Sequence, residues 1–194
     1  MLTLAATATA TLVAFAAPAT AHTPVVLNSC NTLPQTSPQI PVGTDPIGWL
    51  GTLPQIGADR AAQLTMQAGQ QLNVGFGVPD LAPENQLSTD QLPVVVIIAP
   101  DMQVTLLQPT MRTPLYNPDF NQNYLFLNNY STTAIAGTYS LLMIGRSPER
   151  IFVATGVESE DFHGILRGSV ATTQQLNNWY ATPPTAPQAA CTTP

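Results

Sequence analysis

Apolar and polar residues alternate with a period of two through much of the middle of the chain. From Gln71 to Val78, Leu72, Val74, Phe76 and Val78 share one face, and Gln71, Asn73, Gly75 and Gly77 share the other. Successive side chains of a strand point to opposite faces, so this spacing is that of a half-buried strand. Arg60–Gln67 alternates in the same way through Ala62, Leu64 and Met66. With Ala68-Gly69-Gln70 as the turn, the two segments are predicted to pair as an antiparallel hairpin with an inside and an outside. The clearest stretch runs from Gly137 to Gly156. Its apolar runs Tyr139–Ile144 and Ile151–Thr155 flank the polar turn Arg146-Ser147-Pro148-Glu149 and read as a second hairpin. A two-stranded ribbon is marginal in water, so its apolar face must pack on further strands.

The rest of the chain offers them. Ile47–Leu53 is a short strand, and Pro93–Ala99 is a continuous apolar run that predicts a central strand buried on both faces. Met102–Leu107 pairs back on it, and Tyr124–Asn128 adds another. Strands are thus expected near 47–53, 61–67, 70–78, 93–99, 102–107, 124–128, 138–145 and 150–156. Frequent turn signals between them predict an all-β fold, an antiparallel two-sheet β-sandwich. Helix is expected only after Gly156, as one or two short C-terminal segments. Glu158-Ser159-Glu160-Asp161 places carboxylates at a helix start with Ser159 as the cap. Phe162, Ile165 and Leu166 follow at helical spacing, and Ser169–Tyr180 reads as a second helix.

The expected organisation is an export signal over 1–21, an extended Pro-rich lead-in over 22–45, the sandwich over 46–157, a helical segment over 158–180 and a Pro/Thr-rich tail over 181–194. The signal reading rests on the apolar run Leu2–Ala17 followed by Ala19-Thr20-Ala21, an A-x-A cleavage site that leaves His22 first in the mature chain. No positive charge precedes the run, and an N-terminal membrane anchor is the rival reading. The run is shorter than the ~20 residues a span needs.

Composition narrows the partners. Charged residues are 8% of the chain, lysine is absent, and five arginines face eleven carboxylates for a formal charge of −6. Such a surface repels phosphate and anionic lipid, which argues against nucleic-acid partners and electrostatic membrane binding. The two cysteines, Cys30 and Cys191, lie near opposite ends. In an exported chain they predict a disulfide. The alternative is lipidation of Cys30, since Leu27-Asn28-Ser29-Cys30 faintly resembles a lipobox, although Pro18 and His22-Thr23-Pro24 separate it from the apolar run.

Several of these stretches carry a resemblance. Trp49-Leu50-Gly51-Thr52-Leu53, Ala68-Gly69-Gln70-Gln71-Leu72, Val94–Pro100 with Asp101, Ala136-Gly137-Thr138-Tyr139 and the acidic, aromatic run Glu158–Phe162 resemble a group of uncharacterised secreted bacterial β-sandwich proteins. More distantly they resemble the bacterial pre-peptidase C-terminal domain. The resemblance covers about Trp49 to Tyr180. It implies an exported sandwich of unknown function and carries over no catalytic or binding residue.

Few residues bear chemistry. His22 and His163 are the only histidines. A mature N-terminal histidine chelates copper through its amino group and ring, and a second histidine completes the site. The plainer reading is a terminal residue and a surface helix residue. Asp119, Asn121 and Asn123 have the alternation of calcium-loop ligands, but no Gly and no closing Glu follow, and Asx turns explain them as well. There is no Gly-x-Ser-x-Gly, and paired carboxylates are invisible to sequence. The aromatic residues Tyr116, Phe120, Tyr124, Trp179 and Tyr180 are candidates for stacking on sugars or anchoring a protein interface, or else for capping the core. The expected function is that of an exported, non-enzymatic module that binds a protein or glycan at the cell envelope or plays a structural part there. The alternative is a copper-binding protein or oxygenase.

Overall fold

The computed structural model describes residues 22–118, 120–157, 159–189 and 191. The strands are β1 (Thr23–Val26), β2 (Gln39–Ile40), β3 (Ile47–Leu53), β4 (Asp59–Met66), β5 (Gln71–Pro79), β6 (Val94–Ile98), β7 (Val104–Leu107), β8 (Thr113–Asn117), β9 (Gln122–Thr133), β10 (Gly137–Ile144) and β11 (Glu149–Thr155). One helix, α1 (Thr173–Ala181), follows them. They form a six-stranded sheet in the order β1-β3-β11-β5-β9-β8 and a five-stranded sheet in the order β2-β4-β10-β6-β7. The all-β two-sheet sandwich is therefore present.

The alternation in sequence becomes the two inner faces. Trp49, Leu72, Val74, Phe76, Ile151 and Val153 come from the first sheet, and Leu64, Met66, Val95, Ile97, Leu141 and Met143 come from the second; all are buried in one core. Burying such a side chain contributes about 1.5–3 kcal/mol, so these strands hold the fold. The Trp49 indole N–H meets its need inside the core by donating to Thr155 Oγ1 at 3.0 Å.

The pairing differs from expectation in a systematic way. β4 and β5 are not a hairpin, because β4 pairs with β10 and β2 while β5 pairs with β11 and β9. Nor are β10 and β11, since β10 lies between β4 and β6 and β11 lies between β3 and β5. Each connection crosses from one sheet to the other, so the consecutive strands meet through side chains rather than backbone. Alternation records which residues point inward, and a pair of strands facing each other across a core has the same alternation as a pair side by side. The β6–β7 hairpin does form. β6 is less central than its composition implied. Val95 and Ile97 face the core, and Val96 and Ile98 are half-buried on the outside.

The lead-in is more than an approach. β1 runs parallel to β3, with Thr23 opposite Ile47, and β2 runs parallel to β4. Prolines hid these strands, because each lies at a sheet edge where a missing N–H is tolerated. β8 was hidden in the same way by Pro114. The acidic loop before β6 holds two 3-10 turns, Glu84–Gln86 and Thr89–Gln91. The helix expected at Ser159 is absent from the described residues there, and Glu158 lies outside them. Residues 159–172 instead form an irregular strap tied down by tertiary polar contacts: His163 to Asp45, and Arg167 to Ser37, Pro34 and Gln63. The true helix start is Thr172, which caps Gln175 N–H while the Gln175 side chain accepts from Thr172 N–H. This Thr-x-x-Gln capping box was legible in the sequence.

Cys30 and Cys191 form a disulfide across a sequence separation of 161. The tail that carries Cys191 is also held by Arg60 donating to the Gln188 side chain, and by Ser29 Oγ donating to Ala189 O at 2.7 Å. In the chain-entropy account, closing so long a loop stabilises by at most about 5 kcal/mol, acting on the unfolded chain. Reduction, or Cys30→Ala with Cys191→Ala, is expected to lower the melting temperature while leaving the far-ultraviolet strand signature in place. Calorimetry and circular dichroism on the same sample check this, and an unchanged melting temperature would contradict it.

Candidate functional site

On the flank where β7 of one sheet faces β9 of the other, the sandwich is open. A cleft of about 260 Å³ lies there. Its floor is apolar, from Leu72 and Ile97, and its walls carry Tyr130, Tyr139, Thr105 and Thr132. Gln103 and Asp101 stand at the β6–β7 turn. The lining follows from strand periodicity. Thr105 lies opposite Ile97, and Thr132 lies opposite Leu72, so both threonines take the inward-facing register at the outer strands, where the core thins. The Tyr139 hydroxyl is fixed by accepting Ile135 N–H at 3.0 Å. The cleft therefore presents one half-buried aromatic ring, Tyr130, with several neutral hydroxyl and amide groups and one carboxylate, while Tyr139 is 4% exposed and packs in the core behind it. Such a mixture orients a small, uncharged, polar ligand.

The aromatic candidates read from sequence lie elsewhere, on the outer face of the first sheet. Tyr124 and Trp179 are 5% and 6% exposed and belong to a second apolar cluster with Leu50, Phe152 and Leu176, against which Phe120 and Tyr180 pack. Trp179 Nε1 donates to Gly51 O at 3.1 Å, and the Tyr124 ring meets those of Phe152 at 4.8 Å and Tyr180 at 5.4 Å edge-on. The rings need a floor without side chains. A Cβ on Gly77 would sit 2.5 Å from Phe152. The Tyr180 hydroxyl donates to Asn123 O at 2.7 Å. Burial pushes the Tyr124 hydroxyl pKa upward and, to a lesser degree of burial, that of Tyr180. Tyr124 and Trp179 are thus fixed in the interior, where they fasten α1 to the sheet, and present no open stacking face. Tyr116 alone of the five is well exposed, at 54%, on β8. Its hydroxyl donates to Asn121 Oδ1 at 3.0 Å. Asp119 lies outside the described residues; the Asn123 backbone N–H is taken by Tyr180.

His163 sits in the strap. Its ring Nδ1 lies 2.8 Å from Asp45 Oδ1, and its backbone N–H donates to Asp45 Oδ2 at 2.7 Å. The Asp45 side chain is fully buried while that of His163 is half exposed. The Asp45 hydrogen bond and charge raise the His163 pKa above its ordinary value. Gly156 makes room for this corner, since its φ is +91° and a Cβ there would lie 1.9 Å from Asp45 O. His22, just before β1, lies against the start of β3, its Cβ 3.6 Å from where a Gly48 Cβ would be. Among the described residues no three His, Cys, Asp or Glu side chains gather into a metal-holding group.

Sequence gave no sign of the most elaborate polar cluster. Arg150, on β11, donates from Nε to Glu84 Oε1 at 2.6 Å and from Nη2 to Glu84 Oε2 at 2.7 Å. Its side chain is 2% exposed and that of Glu84 0%. It also donates to Tyr180 O and to Ala82 O. Its neighbour Glu149 is fully buried; Oε1 accepts Arg146 N–H at 2.9 Å, and among the described residues Oε2 has no hydrogen-bond partner. Burial, against the pull of hydrogen bonds from Arg146 and Ser147 and aided by the Glu84 charge, pushes Glu149 up to about 8. Two charged residues inside a strand run looked like a turn's edge. Their burial depends on the 80–92 loop and α1 closing over them, which no local pattern records.

The fold is that of a two-sheet β-sandwich. Among solved structures it is similar to the pre-peptidase C-terminal domain of the collagenase from Bacillus anthracis, with 12% identity and a TM-score of 0.35, over 65% of this chain and 98% of that one. A likeness at that score carries no functional argument. No family model matches the chain, and no curated protein matches it.

Two predictions follow from the buried charges. Arg150→Met leaves Glu84 unpaired in the interior and should cost about 3–5 kcal/mol, whereas replacing both partners by apolar residues should cost much less. Chemical denaturation of the three variants decides this, and equal losses would contradict it. Glu149 has a folded-state pKa raised from 4.5 to about 8. Its contribution is therefore fully present below about pH 4.5 and lost as pH rises through about 8. Stability should fall across that window, and Glu149→Gln should flatten the fall. Above pH 6.5 a residual slope should remain, because protonated His163 is favoured by Asp45 and loses that favour on deprotonation. A pH series of melting curves checks both components.

Proposed function

We propose that the protein is an exported, non-enzymatic module whose cleft between β7 and β9 binds a neutral glycan at the cell envelope. The observation that carries this reading is the lining itself: Tyr130 beside Thr105, Thr132 and Gln103 over an apolar floor. A sugar ring presents apolar C–H faces and a rim of hydroxyls, which match aromatic faces and neutral donors and acceptors respectively. A phosphorylated or sulfated ligand would meet Asp101 and a chain of net charge −6. The Cys30–Cys191 disulfide fits an oxidising compartment. The copper reading stands second, supported by His22 and His163 both bordering the 45–48 segment.

A glycan array followed by calorimetric titration tests the first reading. Binding is expected to be weakened about tenfold or more by Tyr130→Ala, which corresponds to the loss of one stacking contact. Thr132→Val should weaken it less. Binding unaffected by both would move the site elsewhere. A blank array together with a blank pull-down would favour a structural role, and copper in a metal analysis of a chain starting at His22 would favour the second reading.

A further inference from the structure

We propose that Asp101 sets the specificity of the cleft, selecting a single terminal hexose through its adjacent 3- and 4-hydroxyls. The inference rests on the glycan reading of that cleft and names the kind of sugar it takes. Among the described residues that line the cleft, Asp101 alone carries a charge. Its polar neighbours Gln103, Thr105, Thr132 and Thr133 are neutral.

The carboxylate is held in place by its own turn. Asp101 Oδ1 accepts Gln103 N–H at 3.1 Å, an Asx turn that reaches two residues along the chain. The backbone beneath closes through Met102 N–H donating to Ala99 O at 2.9 Å and Ala99 N–H donating to Gln103 O at 2.9 Å. Met102 takes a φ of +66° to complete it. This turn rests on the one between β9 and β10. A Cβ on Gly137 would lie 2.7 Å from Pro100, so the two connections pack directly on each other at the end of the cleft. Among the described residues, Asp101 Oδ2 accepts no hydrogen bond and is left for a ligand.

Size and chemistry then narrow the sugar. The cleft, at about 260 Å³, is smaller than the roughly 300–1,000 Å³ of sites that enclose a drug-sized ligand. One sugar ring fills it, and the rest of a glycan stays in water. The glycosidic bond must then face solvent, and the opposite edge of a terminal hexose carries the adjacent 3- and 4-hydroxyls. An ionised carboxylate only accepts, and does so through both oxygens. It takes two hydroxyl protons and rejects an anionic substituent on the same edge. Such bonds are stronger than those of a neutral acceptor. An ammonium would gain little over a hydroxyl here, because Asp101 is exposed and ion pairs in water contribute little.

An NMR titration of the full disulfide-bonded chain with methyl α-glucoside, methyl α-mannoside and methyl α-galactoside tests this. At least one should bind. Asp101→Asn keeps an oxygen for Gln103 N–H and removes the charge. It should weaken binding about tenfold or more with the melting temperature unchanged. The 3- and 4-deoxy derivatives should bind the native chain about tenfold more weakly than the parent sugar, and this penalty should shrink in Asp101→Asn, because the two losses describe one contact. Equal deoxy penalties in both chains, or a parent sugar that Asp101→Asn binds as tightly as the native chain does, would overturn the proposal. The cleft reading would survive either result if Tyr130→Ala still weakened binding. A chain that binds none of the three but is positive on the glycan array loses the specificity and keeps the cleft, whereas a blank array removes both.

Discussion

The position of the 80–92 loop and of the end of α1 on the sheet depends on the Arg150–Glu84 ion pair. A guanidinium at 2% exposure bound through two nitrogens to a carboxylate at 0% is a costly arrangement. The net stabilisation of such a pair is small, because desolvation offsets most of its attraction. What it does supply is position. One side chain from β11 reaches the 80–92 loop through Glu84 and Ala82, and the end of α1 through Tyr180 O. Apolar contacts alone would let the loop and helix slide over the sheet, since they have little direction. In a chain with 8% charged residues, burying this pair, alongside Asp45, Arg60 and Glu149, makes the directional role the more telling one.

This explains what was legible in the sequence. Local pattern fixes which residues face inward, and the expected segments near 47–53, 70–78 and 138–145 coincide with β3, β5 and β10 to within a residue. Pairing is not local. Residues Tyr139–Ile144 and Ile151–Thr155 look the same whether they lie side by side or face each other across the core, and here the turn at Arg146–Glu149 carries the chain between sheets. Edge strands were illegible for a different reason: Pro24 and Pro114 argue against strands, and are tolerated only because the neighbouring side needs no donor. The disulfide was legible because the chain holds two cysteines, one near each end, and each is the other's available partner.

The candidate site was legible only in its ingredients. Tyr, Thr and Gln are common throughout this sequence, and nothing marks Tyr130 or Tyr139 above Tyr124 or Tyr180. The difference is one of layer. Tyr124 lies under α1 on the outer face, whereas Tyr130 sits at the thinning margin between the sheets. Aromatic residues near Trp179 drew attention as a cluster at the end of a polar helix. That same clustering is what an amphipathic helix needs to dock, with Leu176 and Trp179 as its buried positions. The clustering thus marked a packing face, and the ring that borders the cleft, Tyr130, stands singly on β9.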